Sequence, residues 1–296
     1  MIRYRIARFF IRRYSRRCDC TKYRGMRKWE EAAAAKYIRL PEQCLVTPVA
    51  IGGHPAEWVE WKGADAGRVI LYLHGGGYVL CSPRTHRDLI CRIARASGAR
   101  ALSLEYRRGP EHPHPAAVED AVAAYRWLLK QGTDPKRIAV MGDSAGGGLT
   151  LVLLQTLRRL KIPLPACAVC MSPWADLTCS GETHRTNMRR DPVLPAPVLP
   201  GFARLYLPEG DLANPAVSPL FGDFAKLPPI LIHVGTDEIL LDDSRRVAEK
   251  ARQAGTAVEL KIWPRMIHVF QAMAFMLPQA RQAIREIGAF VQRQMP

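Results

Sequence analysis

The sequence predicts an α/β fold: a doubly wound, mostly parallel sheet with helices on both faces. Three observations carry this expectation. Strand-like and helix-like segments alternate along most of the chain, and several of the strand-like runs are apolar without polar alternation. A single Pro-, Asp-, Asn- and Gly-rich stretch breaks the rhythm. At 296 residues the chain is long for one domain and short for two, so one large domain with an insertion is expected. Hydrophobic residues make up 48% and charged residues 24%, a mix that allows a sizeable core. No apolar run approaches the roughly 18 residues that a membrane-crossing helix needs.

Taken in order, the elements begin with a basic segment. Residues 1–28 hold eleven Lys/Arg against one Asp, which accounts for ten of the sixteen net positive charges. Ile2, Ile6, Phe9, Phe10 and Ile11 interleave with arginines there, so a helix would carry an apolar stripe beside a charged face. The expected arrangement is a helix packed on the body with its arginines solvated. Contact with an anionic membrane surface is the second reading. The charge lies on no recognisable nucleic-acid-binding module, so nucleic acid is not an expected partner. The segment lacks the apolar core and cleavage site of a secretory leader, and a cytoplasmic location is expected.

Strands are expected over Glu57–Trp61, Val69–His74, Ala101–Tyr106, Ile138–Gly142, Ala166–Met171, Ile230–Val234 and Val258–Trp263. Helices are expected over Arg84–Ser97, Ala116–Gln131, Ala145–Lys161, Asp242–Gln253 and Leu277–Gln292. The irregular stretch from about Ala175 to Leu220, with short helices near Pro197–Leu207, reads as a lid or binding insertion. Eight cysteines are scattered without paired metal-site spacing, so free thiols and no metal are expected.

Chemistry concentrates in four places. Gly142-Asp-Ser-Ala-Gly146 fits G-x-S-x-G, follows the strand Ile138–Gly142 and opens a helix, the setting in which a serine is held on a sharp turn to attack a carbonyl. Small residues two before and two after Ser144 avoid clashes, and the first helical N–H groups, including that of Ala145, would lie beside the attacked carbonyl. Leu73-His-Gly-Gly-Gly-Tyr78 ends another strand. Its glycines allow close backbone approach to an oxyanion, and Gly76 and Gly77 are the expected donors. The loop lacks the Lys-Ser/Thr of a phosphate-cradling loop and the spacing of a dinucleotide site, and His74 is expected to anchor it.

His268, just past the last strand, is the expected general base. Of the other histidines, His233 reads as a sheet residue, and His112 and His114 lie in a Pro-rich loop. His54, His86 and His184 have no partner motif. The acid belongs between serine and histidine, where Asp237 and Glu238 both fit and spacing does not choose. Asp242 and Asp243 read as helix N-terminal acids.

Together, HGGGY, GDSAGG, EYRRGPEHPHPAAVEDA, MSPWADLT, SPLF and the late acid before His268 resemble the hormone-sensitive-lipase-like carboxylesterases, bacterial esterase family IV, over about residues 47–296. The resemblance implies an α/β-hydrolase fold: about eight mostly parallel strands flanked by helices, with a helical cap. Residues 1–46 would be a basic helical segment forming part of the cap. Residues 47–296 would be the catalytic domain, with the cap insertion at about 175–220. It also implies a Ser144–Glu238–His268 triad, because the family's acid-Pro-Leu-x-Asp run aligns with Glu238-Ile-Leu-Leu-Asp242. Ile239 stands for the usual Pro, and Cys81 stands where a glycine often follows the HGGG loop, so a narrowed pocket or thiol sensitivity is an expectation there. The implied substrates are short- to medium-chain esters, with no cofactor. Amides or lactones cleaved by the same triad, deacetylation, and a non-catalytic ligand-binding role are the alternatives. Homodimers through the edge strand Val258–Trp263 are the family's habit.

Overall fold

The computed structural model describes residues 2–15 and 17–295. The chain opens with two helices, α1 (Ile2–Ser15) and α2 (Tyr23–Tyr37). Strands β1 (Cys44–Ile51) and β2 (His54–Trp61) then form a hairpin around Gly52-Gly53, at φ +57° and +89°. Two successive left-handed residues give the turn whose twist suits flanking strands, and glycine adopts them without strain. After β3 (Asp65–Leu73) comes α3 (Pro83–Ser97). A Ser82/Thr85 capping box and Pro83 start this helix, and Gly98 at φ +63° ends it.

The alternation continues through β4 (Ala99–Leu104), α4 (Ala116–Lys130), β5 (Ile138–Asp143), α5 (Ala145–Arg159) and β6 (Cys167–Met171). The insertion holds two short helices, α6 (Thr183–Thr186) and α7 (Leu199–Tyr206). β7 (Ile230–Gly235), α8 (Leu241–Gln253), β8 (Val258–Trp263) and α9 (Pro278–Gln294) complete the chain.

All eight strands join one sheet in the order β1-β2-β4-β3-β5-β6-β7-β8. The β1–β2 and β2–β4 junctions are antiparallel and the other five parallel. Because side chains alternate faces along a strand, Val69, Leu71 and Leu73 pack with α4 and α5, while Ile70 and Tyr72 pack with α3 and α9. β5, β6 and β7 are buried at every position, which is why their sequences show no polar alternation.

The structure departs from the sequence reading in two places. β1 was not expected, and it runs across the boundary drawn at residue 46. The face of α1 turned to the body is also not the one expected. Tyr4, Ala7 and Ile11 pack inward, whereas Ile6, Phe9 and Phe10 are exposed, and the side chain of Ile2 lies outside the described ones. Arg8 and Arg12, expected to be solvated, dock instead. Arg8 donates to the Asp237 carboxylate at 2.6 Å and the Arg190 carbonyl at 2.9 Å, and Arg12 donates to the Arg189 carbonyl at 2.8 Å. Free backbone carbonyls and a carboxylate select guanidinium groups over apolar side chains at that contact. Among the described residues, no helix is long and apolar enough to cross a membrane.

Candidate active site

Every chemically marked segment leaves the sheet at the carboxyl end of a parallel strand, where open α/β sheets place their ligands. β5 ends at Asp143, and Ser144 sits between it and α5 at φ +53°, ψ −123°. This is a costly conformation for a residue with a Cβ. The Ser144 N–H donates to the Met171 carbonyl at 2.9 Å, and its carbonyl accepts from Trp174 N–H at 2.9 Å and Gly148 N–H at 3.0 Å. A Cβ on Gly142 would strike the Gly146 and Leu73 carbonyls, and one on Gly146 would strike those of Leu73 and His74. The turn therefore closes only with glycine at both positions.

The loop after β3 runs directly beside this turn. Gly76 takes φ +104° and Gly77 φ +62°. Among the described residues, no protein acceptor takes the N–H of Gly76, Gly77 or Ala145. The loop is held from three sides. Asp143 accepts from Gly75 N–H at 3.2 Å and from the Tyr72 hydroxyl at 2.7 Å, and lies 3.2 Å from His86 Nε2. From α2, Arg27 donates to the Val79 and Gly109 carbonyls, each at 2.6 Å, and Glu30 accepts from Cys81 N–H at 3.0 Å. From α7, Tyr206 stacks on Tyr78 at 3.9 Å and Phe202 lies over Gly77. His74 places Nδ1 2.7 Å from the Gly75 carbonyl and stacks on Tyr106 at 4.2 Å. Burial drives its pKa well below the ordinary value and keeps it neutral.

The acid and the imidazole meet across two other strand ends. Glu238, after β7, is fully buried. Its Oε2 lies 3.0 Å from His268 Nδ1, and its Oε1 accepts from the Ser172 hydroxyl at 2.9 Å and Gly235 N–H at 2.5 Å. Burial pushes its carboxyl pKa up, and these donors pull against that shift. Burial also disfavours the His268 imidazolium, but the hydrogen bond and charge of Glu238 outweigh it, and the pKa lies above the ordinary 6.5. Asp143, adjacent to Ser144, is near enough for its charge to act on the same ring. The chain around His268 is pinned as well: Val269, at φ +48°, donates its N–H to Ser172 Oγ at 3.2 Å. Asp237, the other acid left open by spacing, points away and pairs with Arg8.

The sequence reading gave no role to several supports. Ser172 lies in the quoted MSPWADLT segment and bridges Glu238 and the His268 loop. Asp191 accepts from Ile239 N–H at 3.0 Å, and Asn187 donates to the Glu238 carbonyl at 2.9 Å. His54, His86 and His184, which lacked a partner motif, lie near Asp120, Asp143 and Asp243 respectively. Asp242 and Asp243 open α8 as expected, but they also tie down the insertion, accepting from Thr183 N–H and from Ala175 and Asp176 N–H. His233 is a fully buried sheet residue, its pKa lowered by burial to about 3. At Cys81, burial raises the thiol pKa well above the ordinary value, which argues against a reactive thiolate. All eight cysteines are free. A cavity of about 560 Å³ opens between the N-terminal segment and the insertion, lined by Arg12, Cys18, Met188, Asp191, Leu194 and Val198 among others. Among the described residues, no group of three or more His, Cys, Asp or Glu is placed to hold a metal ion.

The model of the alpha/beta hydrolase fold family matches residues 70–272. An acetyl-hydrolase of Streptomyces hygroscopicus is 50% identical over 243 residues, which covers 82% of this chain and 81% of that protein. An esterase of Acinetobacter venetianus is 37% identical, covering 83% and 81%. The crystal structure of an esterase from the bacterial hormone-sensitive lipase family superposes with a TM-score of 0.94 at 43% identity, covering 98% of this chain and 97% of that one.

Proposed function

The chain belongs to the hormone-sensitive-lipase-like esterases of the α/β-hydrolase fold family and is a carboxylic ester hydrolase; on that premise we propose that Ser144, His268 and Glu238 form its catalytic triad. The ionised Glu238 accepts a proton-bearing Nδ1, which fixes the tautomer and leaves Nε2 to receive a proton. Ser144 Oγ attacks the ester carbonyl as its proton passes to His268. The tetrahedral oxyanion is met by the N–H groups of Gly76, Gly77 and Ala145. Collapse breaks the ester C–O bond, the alcohol leaves with the proton from His268, and an acyl-enzyme remains. Water then attacks, giving its proton to His268, and Ser144 regains that proton as the acid departs. These steps need no metal or cofactor.

The observation that carries this reading is the strained Ser144, locked between two glycines that contact the backbone of the HGGG loop. Replacing Ser144 with alanine should lower kcat for p-nitrophenyl acetate by about 10³-fold or more while far-UV circular dichroism stays unchanged. Retained activity would reject the assignment.

We also assign the cap to the helical part of residues 1–46, ahead of β1, together with about 175–220. Support comes from α1 and α2, which contact the Arg189–Arg190 carbonyls and the oxyanion loop, and from Phe202 of the insertion, which lies over Gly77. Short acyl chains suit this arrangement, because Phe202 and the Tyr78–Tyr206 stack crowd the loop, and the similar Streptomyces protein is an acetyl-hydrolase. Rates on p-nitrophenyl esters from acetate to dodecanoate test this. A rise toward the long chains would overturn it.

A further inference from the structure

We propose that α1 is a docking surface for an anionic phospholipid bilayer. The helix has two unlike faces. One is spent on the body, where the Tyr4 hydroxyl donates to the Arg265 carbonyl at 3.0 Å, Ala7 and Ile11 pack inward, and Arg8 and Arg12 are held by carbonyls and Asp237. The other presents Ile6, Phe9 and Phe10 to solvent, at 52%, 64% and 62% exposure. The two phenylalanines meet edge to face at 5.6 Å. Three large apolar side chains on one short helix do nothing for the packing of the protein, and such patches mark contact sites.

The charge around them selects the partner. A surface depression of about 280 Å³ is lined by Phe9, Arg12, Arg13 and Arg17, which sets three guanidinium groups beside an aromatic ring. Among the described residues, neither Arg13 nor Arg17 has a carboxylate partner, and both are exposed. An apolar ridge flanked by unpaired arginines fits a lipid headgroup region, where the rings reach the acyl boundary and the guanidiniums meet phosphates. A second copy of the chain would instead set Arg12, Arg13 and Arg17 against the same three arginines. Arg12 lines both this depression and the larger cavity beside Asp191, so the docking face adjoins the seam between the N-terminal segment and the insertion. The proposal does not depend on which side chains carry out hydrolysis.

The full-length chain is sedimented with vesicles of equimolar phosphatidylglycerol and phosphatidylcholine, or of phosphatidylcholine alone, at low and high NaCl. Partitioning should favour the anionic vesicles by about tenfold or more and weaken with salt. The triple variant Ile6→Ser, Phe9→Ser, Phe10→Ser should bind anionic vesicles at least about tenfold more weakly while hydrolysing soluble p-nitrophenyl acetate at the wild-type rate. Arg13→Glu with Arg17→Glu should do the same, and it keeps the test decisive if the triple variant misfolds. Three outcomes would overturn the proposal: no binding to anionic vesicles at low salt, binding that both variants retain, or a concentration-dependent dimer that the triple variant abolishes, which would give this face to a second copy.

Discussion

Asp237 and Glu238 are neighbours in the chain with opposite surroundings. Adjacent residues leave the loop after β7 in different directions. One carboxylate is buried against His268 and the other lies under α1 beside Arg8. Glu238→Gln should therefore reduce kcat by about 10³–10⁴-fold, since an amide can hold the ring in the wrong tautomer. Asp237→Ala should stay within about tenfold of wild type, because it removes a partly exposed ion pair. Steady-state kinetics of the two variants separate the roles. The pH profile gives a second check. As the proposed general base, His268 must be neutral to work, so activity should fall as pH drops through its pKa. Glu238 raises that pKa above 6.5, so the acid limb of kcat/KM should lie above 6.5 and shift to lower pH in Glu238→Gln. A wild-type limb well below 6.5 would contradict the pairing.

At the scale of elements, the HGGG loop is positioned by helices distant from it in sequence. Arg27 of α2 gives two short charge-assisted hydrogen bonds to the carbonyls of Val79 and Gly109, and Glu30 holds Cys81 N–H. Displacing such a loop by about 1 Å can cost up to about 10²-fold in rate. Arg27→Ala should thus lower kcat by about tenfold or more, with a smaller change in KM, while the circular dichroism spectrum is kept. An unchanged kcat would mean that Asp143, Tyr206 and Phe202 order the loop without α2. The strand missed in the sequence has a physical explanation at this scale too. β1 is an edge strand in which Thr47 and Pro48 split the apolar residues into two runs of three, so it lacks both the continuous apolar run and the strict alternation that reveal a strand. The orientation of α1 was illegible for a related reason. Periodicity reports that a helix has two faces, whereas the carbonyls of Arg189, Arg190 and Arg265 decide which face docks.

At the scale of the whole molecule, the insertion is tied to the body through α8. Asp243 accepts from Ala175 and Asp176 N–H, and His184 lies 3.4 Å from its other oxygen. Burial alone would lower the His184 pKa. The hydrogen bond and charge of Asp243, helped by Cys179, outweigh it and raise the pKa from 6.5 to about 10. A raised histidine stabilises the fold fully below its unfolded-state pKa and loses that contribution as pH rises through the folded one. Tm should therefore fall between about pH 6.5 and 10. In His184→Gln the slope over that window should flatten, as read by differential scanning fluorimetry. Equal slopes in the two proteins would show that the pair is not coupled to folding.

The sequence by itself determined the parallel sheet, its helices, the glycine-bracketed Ser144, the HGGG loop and the late histidine. These depend on burial patterns and on backbone conformations open only to small residues, both of which are written locally. Spacing left Asp237 and Glu238 open and the family resemblance favoured Glu238; only the tertiary structure decided that Ser172, Asn187 and Asp191 brace Glu238 and the His268 loop, and which side of the first helix meets water. Those outcomes follow from which groups long-range folding leaves in need of a partner, and neighbours in sequence carry no trace of that.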